Sequence, residues 1–339
     1  MHEKISPSRY CAHNYKFVPT MSHHPRIIVV TNCTNRKKNT GEALTLDGAK
    51  LANSLAEVVR DWGIATASAK QRETAVNLYQ GRSFTEAKQA AIEIGADLYV
   101  ISAGHGLIHS NDRVPSYNLT VSASPNNDLH RLLLRLQKHP SEWWQLLTQQ
   151  FGEDRSVAAM MNRTGNVPVL LSIPAPYLRL ISQDLAKLTD EQVARLRIFT
   201  SEYGASELPE RLRSGVMPYD ERLEGLPSFD GTRVDFAQRA LRHFVHVLRG
   251  HLLPLERAKD QVLQAMDALI KPVLPKRERK SDGEIVELIE QNWSRLNGSS
   301  AALLRFLRDD ALVACEQGRF ARLRRGVQTT LRSKAEVRG

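Results

Sequence analysis

Arg26-Ile-Ile-Val-Val-Thr31 is a continuous, mostly β-branched apolar run, and the polar stretch Asn32-Cys-Thr-Asn-Arg-Lys-Lys-Asn-Thr-Gly41 follows it directly. Unbroken runs of this kind are typical of parallel strands that are buried on both faces. The exit is rich in turn-forming residues, so the strand is expected to end near Asn32. The stretch therefore predicts a buried parallel strand close to the start of the chain.

The next elements alternate between helical and strand patterns. Apolar spacing predicts helices over 47–62 and from Ser83 to the glycine at position 95, and a second strand over 97–103. Further strands are predicted over 167–173 and 197–200. Strand, helix and strand in this order indicate right-handed parallel crossovers. The sequence predicts an α/β fold with a mostly parallel sheet flanked by helices.

Four segments of different character are expected. Residues 1–24 read as a flexible N-terminal extension, 25–270 as the α/β catalytic domain, 271–281 as a linker with two prolines, and 282–339 as a basic helical module. Within the large domain, helices are expected over 128–151 with a break at Pro140, 177–188, 235–251 and 256–270, with an ordered loop over 206–232. Residues 282–293 and 301–315 read as a helix-turn-helix or winged-helix unit, whose second helix would enter a major groove of DNA. A helical hairpin that docks on the main domain is the alternative.

The charge of the chain is strongly positive and unevenly placed. The net charge is +10, and residues 271–339 contain fifteen Lys and Arg against nine Asp and Glu. A surplus concentrated in one segment favours a nucleic acid partner, DNA or another polyanion. A merely solvated basic face, an acidic protein or a membrane surface stay open as alternatives. The expected nucleic-acid-binding residues are Arg305, Arg308, Arg322, Arg324 and Arg325.

Several protein classes do not fit the composition. The longest apolar runs fall far short of a membrane span, and the N-terminus has no apolar signal region. Cys11, Cys33 and Cys315 are far apart and show no CxxC spacing, which argues against a disulfide scaffold and a structural zinc site. We therefore expect a cytoplasmic protein without a metal or other cofactor and without a membrane partner.

Two strand exits carry unusual side chains. The first is Asn32-Cys33, followed by Lys37 and Lys38, and the second is 102–106, Ser-Ala-Gly-His-Gly. In open α/β sheets, ligands bind beyond the carboxyl ends of the strands. Cationic neighbours favour a cysteine nucleophile, the lysines are suited to hold a phosphate, and His105 is suited to shuttle protons.

Each of these residues also has a structural interpretation. Cys33 at a strand end is suited to simple packing, and His105 to a structural hydrogen bond. Ser102 has no GxSxG motif around it, so a serine hydrolase is not favoured. Gly104 and Gly106 would let backbone amides approach a ligand closely.

Four short motifs follow one another between Ile27 and Thr120, a little over a quarter of the chain. They are Val29-Val-Thr-Asn-Cys33 with the lysines at 37 and 38, Leu78-Tyr79-x-Gly81-x-x-Phe84, Ile101-Ser-Ala-Gly-His-Gly-Leu107 and Val114-Pro-Ser-Tyr117. Their order resembles a bacterial and phage family of nucleobase-handling proteins that is distantly related to the YaaA peroxide-stress proteins. The resemblance extends to proteins of bacterial clusters that insert 7-deazaguanine bases into DNA.

The resemblance implies hydration of a nitrile, on 7-cyano-7-deazaguanine already in DNA, to the amide. It implies a restriction-modification or phage-defence setting, with other proteins of the same modification cluster as partners. Cys33, Ser102, His105 and Asp220 are the expected catalytic residues, with Asp220 as general base. The expected substrate-binding residues are Asn32, Lys37, Lys38, Tyr79, Gly104, Gly106, Tyr117, Arg239 and His243.

Two other functions remain open on the sequence. A base N-glycosidase would need a carboxylate near the sugar, which Asp112 or Asp220 would supply. A DNA-binding protein without catalytic activity would use the α/β domain only to sense a ligand.

Overall fold

The computed structural model describes residues 27–38, 41–46, 52–122, 127–271 and 276–336. The apolar run that opens this part of the chain forms the central strand of a five-stranded sheet. Its order is β4-β3-β1-β6-β7. The strands are β1 (Ile28–Asn32), β3 (Asp97–Ser102), β4 (Gly106–His109), β6 (Val169–Ser172) and β7 (Leu196–Phe199). All pairings are parallel except that of β4 with β3. The predicted α/β fold is confirmed.

The register of the central strands brings two exits together. Asn32 at the end of β1 pairs with Ile101 of β3, and the Cys33 amide donates to the Ile101 carbonyl at 3.0 Å. The predicted turn after β3 is shorter than expected, because residues 106–109 return as the antiparallel strand β4. A second, two-stranded sheet pairs β2 (Glu73–Thr74) with β5 (Arg113–Val114).

Helices cover the sheet, and most of the predicted ones are present. In the described part of the large unit they are α1 (Leu55–Ser68), α2 (Ala75–Leu78), α3 (Arg82–Glu93), α4 (Asp128–Arg135), α5 (Pro140–Phe151), α6 (Val157–Arg163), α7 (Ala175–Leu180), α8 (Ser182–Ala186), α9 (Asp190–Ala194), α10 (Glu202–Ser206), α11 (Glu210–Arg213), α12 (Phe236–His246) and α13 (Leu255–Asp267). The break at Pro140 is confirmed, since Pro140 begins α5. Gly95, at φ +61°, follows α3 as predicted.

Some predicted boundaries are wrong. Residues 47–51 of the first predicted helix lie outside the described residues, and α1 continues six residues past the predicted end, to Ser68. The predicted helix over 177–188 is two short helices, because Ile181 leaves helical geometry between them. The predicted loop over 206–232 contains α11 and a 3-10 turn at Glu221–Gly225. The helix predicted to reach position 251 ends at His246, since Arg249 adopts a left-handed conformation.

The chain divides into two compact units, Met1–Lys271 and Pro272–Gly339. The expected N-terminal extension, 1–24, and residues 272–275 of the expected linker lie outside the described residues. The rest of the expected linker is paired: the Glu278 amide donates to Leu312 O and the Ala314 amide to Glu278 O, both at 2.7 Å. These residues are therefore part of the second unit.

The second unit has a core of its own. It contains α14 (Asp282–Asn292), α15 (Ser300–Arg305) with a π-helical turn at Phe306–Asp310, and α16 (Gln317–Glu336). The buried residues are Ile285, Ile289, Leu303, Leu307, Val313, Cys315, Phe320, Leu323 and Val327. The predicted helix over 301–315 ends early, and the arginine-rich tail, for which no separate helix was predicted, forms a long third helix.

Candidate active site around Cys33

The Cys33 thiol lies at the exit of β1 between two hydrogen-bonding groups. Its Sγ atom is 3.0 Å from the Tyr177 hydroxyl, and the Ala103 amide donates to it at 3.4 Å. Tyr177 also donates to the Cys33 carbonyl at 3.0 Å, and in its contact with Sγ either group can be the donor. The residue is only 2% exposed. The sulfur is therefore fixed in position by two hydrogen-bonding groups at the carboxyl end of β1.

A closed group of three hydroxyls lies beside the thiol. The Ser102 Oγ and Tyr117 Oη atoms are 2.8 Å apart, and Tyr79 Oη lies 3.1 Å from each of them. Ser102 Oγ also accepts from the Gly104 amide at 3.3 Å. Burial, followed by the charge of Cys33, raises the pKa of both tyrosines above the ordinary value. The phenols therefore stay protonated and Ser102 serves as their hydrogen-bond partner.

Lys37 covers this group from the solvent side. Its Nζ atom lies 4.1 Å from the Tyr117 ring centroid and 5.9 Å from that of Tyr79. An isolated bridge between Lys37 and Tyr79 fixes the backbone there. Burial lowers the pKa of the Lys37 ammonium, against the opposing effect of Cys33. A lysine with a lowered pKa beside a thiol is suited to proton transfer.

A buried glutamine that the sequence did not indicate joins the strand exits. Gln238 of α12 is fully buried, and its Nε2 atom donates to Asn32 Oδ1 at 2.8 Å and to Ser172 O at 2.9 Å, with Thr31 Oγ1 at 3.3 Å. Asn32 Nδ2 in turn donates to the Cys33 carbonyl at 2.8 Å. The predicted substrate-binding residue Asn32 is thus part of the scaffold that positions Cys33.

Replacing Gln238 with leucine is expected to destabilise the protein by about 1–3 kcal/mol, because it leaves buried acceptors without their donor. Urea unfolding measures the difference. Gln264→Leu, at an exposed position of α13, is the matched control and should change stability by less than about 0.5 kcal/mol. Equal effects of the two changes would contradict the positioning role of Gln238.

Aromatic side chains hold the turn after β3. Trp62 Nε1 donates to the Gly104 carbonyl at 2.7 Å, and Trp143 Nε1 donates to the Ala103 carbonyl at 2.8 Å. A Cβ atom on Gly104 would lie 3.1 Å from the Trp62 ring, and one on Gly106, at φ +72°, would lie 2.9 Å from the Arg155 carbonyl. These glycines are needed for packing, rather than for the expected approach of a ligand.

His105 is buried in the same turn. Its Nε2 atom lies 3.1 Å from the Pro115 carbonyl, and its ring stacks edge-on against Tyr117. Burial lowers the pKa of His105 to about 3. The imidazole is therefore neutral near pH 7 and acts as a hydrogen-bond donor, which differs from the expected proton shuttle.

The lowered pKa of His105 predicts a loss of stability in acid. Between pH 6.5 and the folded pKa near 3, only the unfolded chain binds the proton. The free energy of unfolding therefore falls by about 1.4 kcal/mol per pH unit as the pH decreases through this window. Urea unfolding at several pH values gives the free energy of unfolding as a function of pH. In His105→Gln, the slope of this free energy against pH should be shallower by this amount than in wild type. The same slope in His105→Gln and in wild type would contradict the assignment, and His130→Gln is the control.

Two other expected site residues are occupied by ion pairs. Lys38 Nζ lies 2.8 Å from Glu73 Oε2. Asp220 caps the 3-10 turn and pairs with Arg222 at 2.9 Å. Burial raises the pKa of Asp220, but the hydrogen bonds from Arg222 outweigh it, so the pKa is lowered. A carboxylate held this way is a poor general base. Asp112, the other candidate for a glycosidase, pairs with Arg155 at 2.6 Å.

Arg239 and His243 of α12 were expected to reach phosphate or to help build the substrate pocket, and both are buried. Arg239 pairs with Asp235 at 2.8 Å and Glu224 at 2.7 Å. His243 Nδ1 lies 2.8 Å from the Tyr219 hydroxyl, and burial lowers the pKa of His243 to about 4. Both side chains hold the loop before α12 onto the domain instead of facing a ligand.

The five arginines expected to bind nucleic acid differ in their surroundings. Arg308 donates to the Cys315 carbonyl, Arg324 donates to the Gly298 carbonyl and stacks on Trp293, and Arg322 pairs with Asp282. Arg305 and Arg325 are exposed. Of the five, only these last two present a guanidinium without a partner among the residues that the structure describes.

Part of this site lies in a segment shared with other proteins. Residues 64–153 match the model of a family of unknown function, DUF6884. The matched segment is a little over a quarter of the chain; it contains Tyr79, Ser102, His105 and Tyr117, whereas Cys33 and Lys37 precede it. Comparison with curated proteins and with solved structures gives no match.

Metal clusters and membrane-spanning helices are both absent from the described residues. No group of three or more His, Cys, Asp and Glu side chains there is placed to hold a metal ion. Within the same residues, no helix has the length and apolar character needed to cross a membrane.

Proposed function

We propose that the protein is a cytoplasmic DNA-modification enzyme that hydrates the nitrile of 7-cyano-7-deazaguanine in DNA to the amide. The single observation that carries this proposal is the Cys33 thiol, held between the Tyr177 hydroxyl and the Ala103 amide, with Lys37 nearby. The ordered motifs support it through their resemblance to DpdC, from clusters that put 7-deazaguanine bases into DNA.

In the proposed reaction, the Cys33 thiolate attacks the nitrile carbon and forms a carbon–sulfur bond. The nitrogen takes a proton from the Lys37 ammonium, which gives a thioimidate and a neutral amine. Water then adds to the carbon; one of its protons reaches the nitrogen by way of Lys37, and the other restores the ammonium. The carbon–sulfur bond breaks as the carbonyl forms, so the thiolate is regenerated and the net change is one water.

Substrate access runs past Lys37, because the cysteine and the tyrosines are almost fully buried while Lys37 is only half-buried. A base within duplex DNA must first leave the stack, which costs a few kcal/mol and is offset by contacts to phosphate. We expect the ammonium to move from the Tyr117 ring when the base enters. The phenol hydroxyls then remain as donors beside the reacting nitrile.

Mass spectrometry of nucleosides tests this function. DNA that contains the cyano base is incubated with the protein and digested, and the deazaguanine nucleoside should gain the mass of one water. Release of free base would instead indicate a glycosidase. No change on DNA containing the cyano base, under conditions where the protein binds it, would contradict catalysis and leave a binding protein.

Removing residues 272–339 is expected to weaken DNA binding and to flatten its salt dependence. The two units have separate hydrophobic cores, so the remaining unit keeps its own core. For every phosphate that the truncated protein no longer neutralises, the slope of log affinity against log salt should decrease by about 0.9 on duplex DNA. Fluorescence anisotropy at several salt concentrations measures this slope. An unchanged slope would exclude the second unit from DNA binding.

A further inference from the structure

A groove in the second unit combines positive charge with an apolar floor. It is an open groove with a volume of about 590 Å³, between α15, its π-helical turn and the first turns of α16. Its lining includes Arg277, Arg305, Arg308, Asp309, Leu304 and Phe320. The volume falls within the range of about 300–1,000 Å³ that is usual for sites binding small molecules or single residues of a polymer.

Two of the three guanidinium groups are fixed before any ligand binds. Arg308 donates from Nε and Nη2 to the Cys315 carbonyl at 3.1 and 2.9 Å. Arg277 donates to the Arg308 carbonyl at 2.7 Å and pairs with Asp309 at 3.0 Å. These contacts leave the Nη1 groups of both arginines for another acceptor. Because the side chains are already ordered, a phosphate would bind there with little further loss of conformational entropy.

The third guanidinium is free to reach a ligand. Arg305 is exposed, and within the described residues its side chain makes no hydrogen bond or ion pair. With Asp309 already paired to Arg277, the groove carries a net charge of about +2. The positive charge favours an anionic ligand. The floor formed by Leu304 and the exposed Ala301 favours a ligand that also has an apolar part.

We propose that this groove binds single-stranded DNA, with phosphates on the arginines and a sugar or base against the apolar floor. A concave site fits a flexible strand better than the convex backbone of a duplex. The inference rests on the proposed function in taking DNA as the polymer, since extrusion of a base opens the duplex and leaves unpaired nucleotides to be held. This binding mode differs from the expected insertion of a helix into the major groove.

The test compares two exposed arginines in the full-length protein. Arg305→Ala removes a guanidinium from the groove, whereas Arg325→Ala removes one outside the groove lining. For a fluorescent oligothymidylate, Arg305→Ala should weaken binding about tenfold, the effect of one charge-assisted hydrogen bond, and lower the salt slope by about 0.7. Arg325→Ala should weaken binding less than about threefold.

A second variant separates shape from charge. Ala301→Trp fills the groove at an exposed helical position without changing charge, and it should also weaken binding of the oligothymidylate. Three results would each overturn the proposal. The first is an equal effect of Arg305→Ala and Arg325→Ala on the affinity for the oligothymidylate. The second is a larger loss of affinity for duplex DNA than for single-stranded DNA in Arg305→Ala, and the third is displacement of the oligothymidylate by equimolar polyglutamate. These measurements require no chemistry at Cys33, so a failure of the groove and a failure of nitrile hydration are distinguishable.

Discussion

Cys33→Ala is expected to lower the rate of nitrile hydration by about 10⁴-fold or more, the usual result of removing a catalytic nucleophile. The alanine removes the sulfur that lies between the Tyr177 hydroxyl and the Ala103 amide. Cys33→Ser keeps the volume and the hydrogen bonds but supplies a much weaker nucleophile, so it should be similarly inactive. The measurement is the rate of amide formation in digested DNA, with affinity for the same DNA unchanged.

Cys315→Ala is the matched control, because Cys315 is the other free cysteine among the described residues and lies in the core of the second unit. It should leave the rate of hydration within about threefold of wild type. Retention of more than a tenth of the wild-type rate of hydration by Cys33→Ala would contradict the role of the nucleophile. That result would mean that the thiol has only a packing role and that water adds to the nitrile directly. Trapping of a thioimidate on intact protein mass spectra would support the covalent route.

The strands that carry the site were predictable because their signal is local. The β-branched runs around Val29, Val100 and Leu170 indicate three parallel strands, and residues directly after two of them meet in the site. The edge strand β4 was missed because it has four residues and begins at a glycine. The helix α16 was missed because its arginines hide the spacing of Phe320, Leu323 and Val327.

The partners of Cys33 were only partly predictable. Tyr79, Ser102 and Tyr117 belong to short motifs near the strand exits. Tyr177 and Gln238 lie far along the chain, and no local pattern marks them. In α12, every residue from Phe236 to Leu241 is buried, including the polar Gln238 and Arg239, so polarity in the sequence does not mark the exposed face of this helix. The charged residues of α12 were therefore singled out instead of the glutamine that contacts the strands.

Asp220 and Arg239 show why charge in a sequence is a weak guide to catalysis. A polar loop and an i, i+4 pair both fit a ligand site and an internal ion pair. Which one forms depends on partners elsewhere in the chain: Arg222 for Asp220, and Glu224 with Asp235 for Arg239. These partners shape the loop before α12 and leave Cys33 and Lys37 as the chemically distinctive pair.

Arg239→Ala is accordingly expected to destabilise the protein by about 3–5 kcal/mol, the cost of breaking a buried ion pair from one side. Arg239 is 0% exposed, and it donates to Asp235, Glu224 and the carbonyls of Phe229 and Thr232. Its removal leaves the Glu224 carboxylate without a counter-charge and leaves Asp235 only the longer contact with Arg82, at 3.9 Å. Urea unfolding provides the measurement.

Arg82→Ala is a control from the same network, since Arg82 pairs with Glu86 and Asp235 but is 43% exposed, and it should cost less than about 1 kcal/mol. Adding Asp235→Asn and Glu224→Gln to Arg239→Met should recover much of the loss, because the uncompensated charges disappear together with the guanidinium. Stability of Arg239→Ala within about 1 kcal/mol of wild type would mean that water already screens this arginine. In that case its guanidinium could bind phosphate after all, and the internal role assigned to α12 would be wrong.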